Sequence, residues 1–201
     1  MSGTDIVEKL RRGLPASRVE TLPELQQAAV LILLDKLESG VEVVLTQRAA
    51  HMRLHPGEVA FPGGKCDPDD PHPWATALRE AREEIGLEPA CVRRLGLMAP
   101  LTTRSEIQVT PCVGVLTQPV QFRVNPDELD AVFTVPLEFC SRPDSLQLDE
   151  VSYRGRLRRL PRYDYQQYTI WGITAAMLVQ LVNIACDAGL QLDDYWKEEQ
   201  E

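Results

Sequence analysis

The most informative run of the sequence reads Arg79-Glu80-Ala81-Arg82-Glu83-Glu84-Ile85-Gly86-Leu87. On a helix, Glu80, Glu83 and Glu84 are spaced i, i+3 and i+4, so their carboxylates share one face. Carboxylates at this spacing repel one another, and a hard divalent cation removes the repulsion by accepting their oxygens. Arg79 stands four residues before Glu83, where a guanidinium can hold that carboxylate. The run predicts a metal-binding helix face, and a solvated Glu-rich face is the alternative that the motif alone leaves open.

The residues around this run predict the helix and the turn that precedes it. An apolar stripe recurs at helical spacing, formed by Trp74, Leu78, Ala81 and Ile85. Pro73 suits the first turn of a helix and Gly86 suits its exit, so we expect the helix over residues 73–85. A short strand over residues 57–61 is expected to lead into the Pro62-Gly63-Gly64 turn.

Further β-branched and apolar runs predict the remaining elements. Ala28–Leu34 and Val41–Gln47 are typical of a hairpin. We also expect strands over residues 92–98, 107–116 and 131–135, a hairpin over 150–165, and short helical pieces over 4–12 and 136–140. The closing helix is predicted to span residues 168–188. The order predicts one mixed α/β domain over residues 26–190, an N-terminal extension with a short helix over 1–25, and an acidic tail over 191–201.

Composition excludes several classes of protein. The chain has 201 residues, of which 44% are hydrophobic and 25% charged, so it can bury a sizeable core. Its net charge of −9 argues against a nucleic-acid partner. Five scattered cysteines show no disulfide or zinc spacing, which favours reduced thiols and a cytoplasmic location. No segment is apolar and long enough to predict a membrane span or a signal peptide.

Two motifs together resemble a known family. The run Gly64-x5-Asp70-x8-Arg79-Glu80-Ala81-Arg82-Glu83-Glu84-Ile85-Gly86-Leu87 resembles the Nudix box, G-x5-E-x7-R-E-U-x-E-E-x-G-U. The second half matches at every specified position once Ala81 is accepted at the apolar position. The first half departs from the pattern, because Asp70 replaces a glutamate and the next gap is one residue longer. We expect the role of Asp70 to be structural or absent.

The upstream segment is similar to one branch of that family. Leu45-Thr46-Gln47-Arg48-Ala49-x3-Arg53-x3-Gly57-x3-Phe61-Pro62-Gly63-Gly64 resembles the pattern L-T-x-R-[SA]-x3-R-x3-G-x3-F-P-G-G of the coenzyme A diphosphatases. Two further segments resemble the same branch, namely Asp67-Pro68-Asp69-Asp70 and Trp171–Ala175. The resemblance covers about residues 28–188.

The resemblance implies an α/β/α sandwich with a mixed β-sheet. It also implies hydrolysis of the diphosphate of coenzyme A, with Mg²⁺ or Mn²⁺, to 3′,5′-ADP and 4′-phosphopantetheine; acyl and disulfide forms are further candidate substrates. By resemblance, Glu80, Glu83 and Glu84 are metal ligands oriented by Arg79, and the carbonyl of Gly63 or Gly64 adds another. The general base is either a glutamate of the box or an acid from a later loop, for which the candidate is Glu128.

Several points stay open at this stage. Arg48 and Arg53 either bind substrate phosphate beside Gly63 and Gly64, or brace the loop by pairing with Glu58 or Asp67. The arginines of residues 154–162 either meet a phosphate or form a solvated strand edge. Two other functions compete: cleavage of another nucleoside diphosphate derivative such as ADP-ribose or NADH, and an inactive nucleotide-binding module. The oligomeric state is also open, a homodimer included.

Overall fold

A computed structural model describes residues 3–15, 26–153 and 156–192. Its helices are α1 (Gly3–Gly13), α2 (Pro73–Ile85), α3 (Leu137–Ser141) and α4 (Gly172–Cys186). Its first strands are β1 (Gln26–Leu37), β2 (Gly40–Arg48), β3 (Val59–Ala60), β4 (Gly63–Lys65), β5 (Val92–Leu97) and β6 (Leu101–Thr102). The others are β7 (Ile107–Leu116), β8 (Leu129–Pro136), β9 (Gln147–Tyr153), β10 (Arg156–Tyr165) and β11 (Tyr168–Trp171).

Within the described ranges, the strands form a mixed sheet of eight and an antiparallel sheet of three. The path of the large sheet is β3-β2-β1-β7-β5, with β4 also on β1, β6 on β7 and β8 on β2. Strands β1 and β7 are parallel, whereas β2 and β4 both pair with β1 in antiparallel fashion. The small sheet has the order β11-β10-β9. Because β1 pairs with β2, β4 and β7 in the middle of the path, it places the turn at β4 beside the centre of the large sheet.

Alternate residues of β1 face two separate cores, as the period of a strand requires. Ile32 and Leu34 pack in one cluster with α1 and α4. Leu31 and Leu33 pack in the other cluster with Trp74 and other residues of α2. Helices therefore cover both faces of a mixed sheet, which confirms the expected α/β/α sandwich.

Most of the predicted elements are present, and one boundary was wrong. Helix α2 occupies the predicted residues 73–85, with Pro73 in its first turn and Gly86 in the left-handed region at φ 66°. The closing helix begins at Gly172, because Tyr168–Trp171 forms strand β11 and pairs with β10. In β11, buried Tyr168 and Ile170 alternate with exposed neighbours, which is a strand pattern. The apolar run that follows led to the prediction of one continuous helix.

The predicted N-terminal helix is present and joins the main core. Ile6, Val7 and Leu10 of α1 are buried in the same cluster as α4. Residues 16–25 and 193–201 of the predicted extension and tail, and Arg154 of the arginine-rich segment, lie outside the described residues. In the part of the chain that the structure describes, no helix is both long enough and apolar enough to span a membrane.

Candidate active site

The Gly63-Gly64 turn lies directly against the acidic face of α2. Strand β4 pairs Gly63 with Val30 and Gly64 with Ala29. Gly63 has φ 153°, and a Cβ there would lie 2.4 Å from the carbonyl oxygen of Ala29. A Cβ on Gly64 would lie 2.6 Å from Oε1 of Glu80. Glycine is therefore required twice, once for backbone conformation and once to admit a carboxylate.

Glu84 is the buried carboxylate of the site. The residue is 3% exposed, and its Oε2 accepts a hydrogen bond of 3.0 Å from the backbone N–H of Gly63. Burial raises the pKa of Glu84 to about 8, and the charges of Glu80 and Glu128 add to the rise against the opposing Gly63 N–H and Arg48. A buried carboxylate surrounded by other carboxylates is destabilised in its ionised form, so this site attracts a positive charge.

Glu80 is half-buried beside it and shows the same tendency. Burial raises its pKa, hydrogen bonding to Arg79 opposes the rise, and the charges of Glu83 and Glu128 add to it. Because the Glu128 charge affects both Glu80 and Glu84, its carboxylate lies close to the α2 cluster. The structure thus brings the later-loop acid within electrostatic range of Glu80 and Glu84.

Arg79 organises this cluster. Its Nη1 donates to Glu80 Oε1 at 2.9 Å and to Glu83 Oε2 at 3.2 Å. Its Nη2 donates to Asp70 Oδ2 at 3.0 Å and to the carbonyl oxygen of Lys65 at 3.2 Å. The predicted contact between Arg79 and Glu83 is therefore present, and the same guanidinium also ties α2 to the loop before it.

Asp70 has a structural position. Hydrogen bonding from Arg79 lowers its pKa to about 2, helped by the backbone N–H of Asp67 and the hydroxyl of Thr76. The sequence analysis did not single out Thr76, which is fully buried and donates to Asp70 at 2.9 Å. The feature of the sequence that could have indicated this contact is a hydroxyl residue in the first turn of α2, six residues after the acidic residue Asp70 of the preceding loop. Asp70 acts on the glutamates through Arg79.

The loop that carries Glu128 is anchored at both ends. The N–H of Asn125 donates to the carbonyl oxygen of Glu84 at 2.8 Å, which fixes the loop to the end of α2. The carbonyl oxygen of Glu128 accepts from the N–H of Ala49 at 2.8 Å. Glu128 is therefore held between α2 and the segment that follows β2.

Of the two candidate phosphate-binding arginines, the structure brings one to the cluster. The charge of Arg48 lowers the pKa of Glu84, and its Nε is buried without a hydrogen-bond partner among the described residues. Arg53 is exposed on the loop after β2. The bracing pairs are not formed in the described part of the chain, because Glu58 lies 2.9 Å from His55 and Asp67 lies 3.6 Å from Arg79.

Comparison with known proteins identifies the family. The family model of the NUDIX domain matches residues 24–154. The chain belongs to the Nudix family. NudL of Enterobacter sp. strain 638, an uncharacterized Nudix hydrolase, is 40% identical over 156 residues, which are 78% of this chain and 81% of NudL. NudL of Photorhabdus laumondii is 39% identical over 181 residues, 90% of this chain and 96% of that protein.

Among solved structures, the chain is similar to the Nudix hydrolase from Alicyclobacillus acidocaldarius. It superposes with a TM-score of 0.48 and 22% sequence identity, over 83% of this chain and 96% of that one. From the family and the relatives, the protein is a Nudix hydrolase, an enzyme that cleaves phosphorus anhydrides in nucleoside diphosphate derivatives. Its substrates are small molecules.

The donor set of this Nudix site fits a hard divalent cation. Carboxylate oxygens of Glu80, Glu83 and Glu84 are the ligand type that Mg²⁺ and Mn²⁺ prefer. The raised pKa values of Glu80 and Glu84 reflect burial and mutual repulsion that a cation would offset. Among the described residues no three His, Cys, Asp or Glu side chains are placed so that they could hold a metal ion together, and the Glu80 and Glu83 carboxylates instead accept hydrogen bonds from Arg79.

Proposed function

We propose that this Nudix hydrolase cleaves the diphosphate of coenzyme A to 3′,5′-ADP and 4′-phosphopantetheine. The observation that carries the proposal is the contact between the two motifs. The N–H of Gly63, at the end of the coenzyme A signature, donates to the Glu84 carboxylate of the box. Arg48 at the other end of that signature lies close enough to influence the same carboxylate. A segment that resembles the coenzyme A branch therefore lies against the glutamates that we propose as the site of hydrolysis.

Glu80, Glu83 and Glu84 would hold Mg²⁺ or Mn²⁺, together with the carbonyl oxygen of Gly63 or Gly64. When bound, the metal offsets the charge of the diphosphate and polarises its phosphoryl oxygens. Arg79 keeps the carboxylates of Glu80 and Glu83 oriented through its hydrogen bonds to both. The acidic face of α2 thus supplies the ligands, and the glycine turn leaves room for them.

The remaining roles fall to Glu128 and Arg48. A water oxygen forms a bond to one phosphorus atom while the bridging P–O bond breaks, and Glu128 accepts the proton of that water. Glu128 suits this role because it is close to Glu80 and Glu84 and belongs to a separate, anchored loop. Arg48 presents a buried Nε without a partner among the described residues, and a phosphate oxygen is the acceptor that a guanidinium best accommodates.

A substrate panel tests the proposed function. Purified protein is incubated with coenzyme A, ADP-ribose, NADH or a dinucleoside polyphosphate, each with Mg²⁺ or Mn²⁺, and the products are separated by chromatography. We expect the highest kcat/KM for coenzyme A, with release of 3′,5′-ADP that stops when a chelator is added. A higher kcat/KM for another member of the panel contradicts the coenzyme A assignment. Undiminished release in the presence of chelator contradicts the metal assignment.

Substitutions test the roles of the glutamates. We expect Glu83→Gln and Glu84→Gln each to lower kcat at least ~100-fold, because a neutral amide is a poor ligand for a hard cation. The matched control is Glu88→Gln, an exposed residue just outside the box that pairs with Arg82. The control is expected to keep wild-type kcat, and circular dichroism checks that all three variants fold. Near-normal rates in both box variants contradict the metal site.

A further inference from the structure

The small sheet has one face on the core and one face outside it. Tyr163 and Ile170 point into the core and are fully buried. Successive strand residues point to opposite faces, so Arg162, Thr169 and Trp171 share the outer face. Trp171 is 42% exposed there, although it is one of the largest apolar side chains in the protein. This indole requires an explanation other than core packing.

A hairpin from the large sheet closes a pocket over this face. The turn between β6 and β7 is tight, because the N–H of Glu106 donates to the carbonyl oxygen of Thr103 at 3.0 Å. Arg104 lies at its tip. The cavity between this tip and the small sheet has a volume of about 460 Å³, and its lining includes Arg104, Asp149, Leu160, Arg162, Thr169 and Trp171. This volume is in the range of small-molecule sites.

The lining combines an aromatic plane with positive charge. Arg162 is fixed, because it donates to Asp164 and Gln147 and its Nε lies 2.9 Å from Asp149 Oδ2. Arg104 adds a second guanidinium to the lining, while Arg162 is paired with the carboxylates of Asp149 and Asp164. An indole stacks on a flat ring, and a guanidinium binds phosphate oxygens in pairs. The pocket thus suits a ligand with one aromatic ring and a nearby phosphate.

The strand register places the start of β7, just after the Arg104 turn, near β4, which holds the Gly63-Gly64 turn. Ile107, just after the Arg104 turn, pairs with Gln26 of β1, and Lys65 pairs with Ala28 two residues further along. Standard strand spacings put the backbones of Ile107 and Lys65 on the order of 12 Å apart. On the other wall, Thr174 follows Trp171 and donates to the carbonyl oxygen of Val59 at 3.2 Å, and β3 leads into the glycine turn. One nucleotide can therefore reach both places.

We propose that this pocket binds the adenosine 3′-phosphate end of coenzyme A, with adenine on Trp171 and the 3′-phosphate on Arg104. The inference rests on the proposed function for the identity of the substrate. In this proposal Arg104, which lies outside both the Nudix box and the Leu45–Gly64 signature, distinguishes coenzyme A from nucleotides that lack a 3′-phosphate. Arg162 is paired with Trp171 between β10 and β11. Its fixed guanidinium therefore lies beside the proposed positions of the adenine ring and the 3′-phosphate.

Kinetics with paired substrates test the assignment. The ratio of the KM for 3′-dephospho-coenzyme A to the KM for coenzyme A is expected to be roughly ten in the wild type, the effect of one charged hydrogen bond. In Arg104→Ala this ratio is expected to fall to about one. Trp171→Ala is expected to raise the KM for both substrates and leave their ratio unchanged. The matched control is Arg93→Ala, which removes an exposed arginine from β5. An equal ratio in Arg104→Ala and wild type overturns the assignment.

Direct binding separates this inference from the proposed function. Calorimetry with 3′,5′-ADP and 5′-AMP is expected to show tighter binding of 3′,5′-ADP, lost in Arg104→Ala and kept in Arg93→Ala. If coenzyme A is not cleaved but this pattern holds, the proposed function is wrong and the pocket assignment stands. If coenzyme A is cleaved and the two nucleotides bind equally, the pocket assignment is wrong and the proposed function stands.

Discussion

At the scale of single residues, Asp70 carries a prediction about stability. It accepts hydrogen bonds from Arg79, Thr76 and the N–H of Asp67, and these lower its pKa from 3.8 to about 2. A depressed pKa stabilises the fold at pH values above the ordinary one, and the contribution is lost as the pH falls from about 4 to about 2. We expect Asp70→Asn to lower the free energy of unfolding by about 1–3 kcal/mol at neutral pH. Urea denaturation measures the difference.

Acid titration of the same variant checks the cause. The difference in the free energy of unfolding between wild type and Asp70→Asn is expected to shrink below pH 4, because the wild-type carboxyl then gains a proton. Asp69→Asn is the matched control, since Asp69 is exposed in the same loop and carries the same charge. Its effect is expected to stay within about 0.5 kcal/mol. A difference that is independent of pH contradicts the role given to the Asp70 carboxylate.

At the scale of elements, the glycine turn packs against α2, and one substitution at each glycine separates its effect on stability from its effect on activity. Gly63→Ala places a Cβ against the backbone of Ala29 and keeps a positive φ, so we expect a loss of about 1–3 kcal/mol in the free energy of unfolding. Gly64→Ala instead meets the flexible end of Glu80, which can move aside. Its stability is expected to change by less than about 1 kcal/mol, whereas kcat falls about 100-fold because a ligand carboxylate is displaced.

Denaturation and steady-state kinetics on both glycine variants give the measurement. Gly57→Ala serves as the control for positive φ, because it has φ 72° and open space where a Cβ would lie. It is expected to lose stability without the clash that Gly63→Ala adds. Wild-type kcat in Gly64→Ala would show that the position of Glu80 is unimportant for turnover.

Element boundaries were predictable where local signals marked them. Pro73 and Gly86 delimit α2, and both act through their own backbone geometry, so the sequence predicts its bounds. The start of α4 was predicted four residues early, because β11 is defined by its pairing with β10 across the chain. The pocket of Arg104 and Trp171 was likewise not predicted, since these two residues lie 67 positions apart in the chain and only the sheet topology brings them together.

At the scale of the whole molecule, the net charge of −9 does not describe the field at the site. Negative charge is concentrated on the α2 face and at Glu128, where a divalent cation is expected. Arg48 acts on Glu84 and Arg79 donates to Glu80 and Glu83, so positive side chains lie among these carboxylates. A cation bound by the glutamates therefore completes a positive region for a polyanionic substrate.

The helix at the N-terminal end belongs to the folded unit, and this gives a final prediction. Leu10 of α1 is completely buried in the core cluster that also contains residues of α4. Leu10→Ala is expected to lower the free energy of unfolding by about 2–5 kcal/mol, because it leaves a cavity inside a shared core. Arg12→Ala, an exposed position of the same helix, is the control and is expected to change it by less than about 0.5 kcal/mol. If α1 docks as part of one cooperative unit, denaturation followed by tryptophan fluorescence and by circular dichroism gives coincident single transitions in wild type and both variants. A Leu10→Ala protein as stable as the control would mean that α1 is an appendage whose contacts add nothing to the stability of the domain.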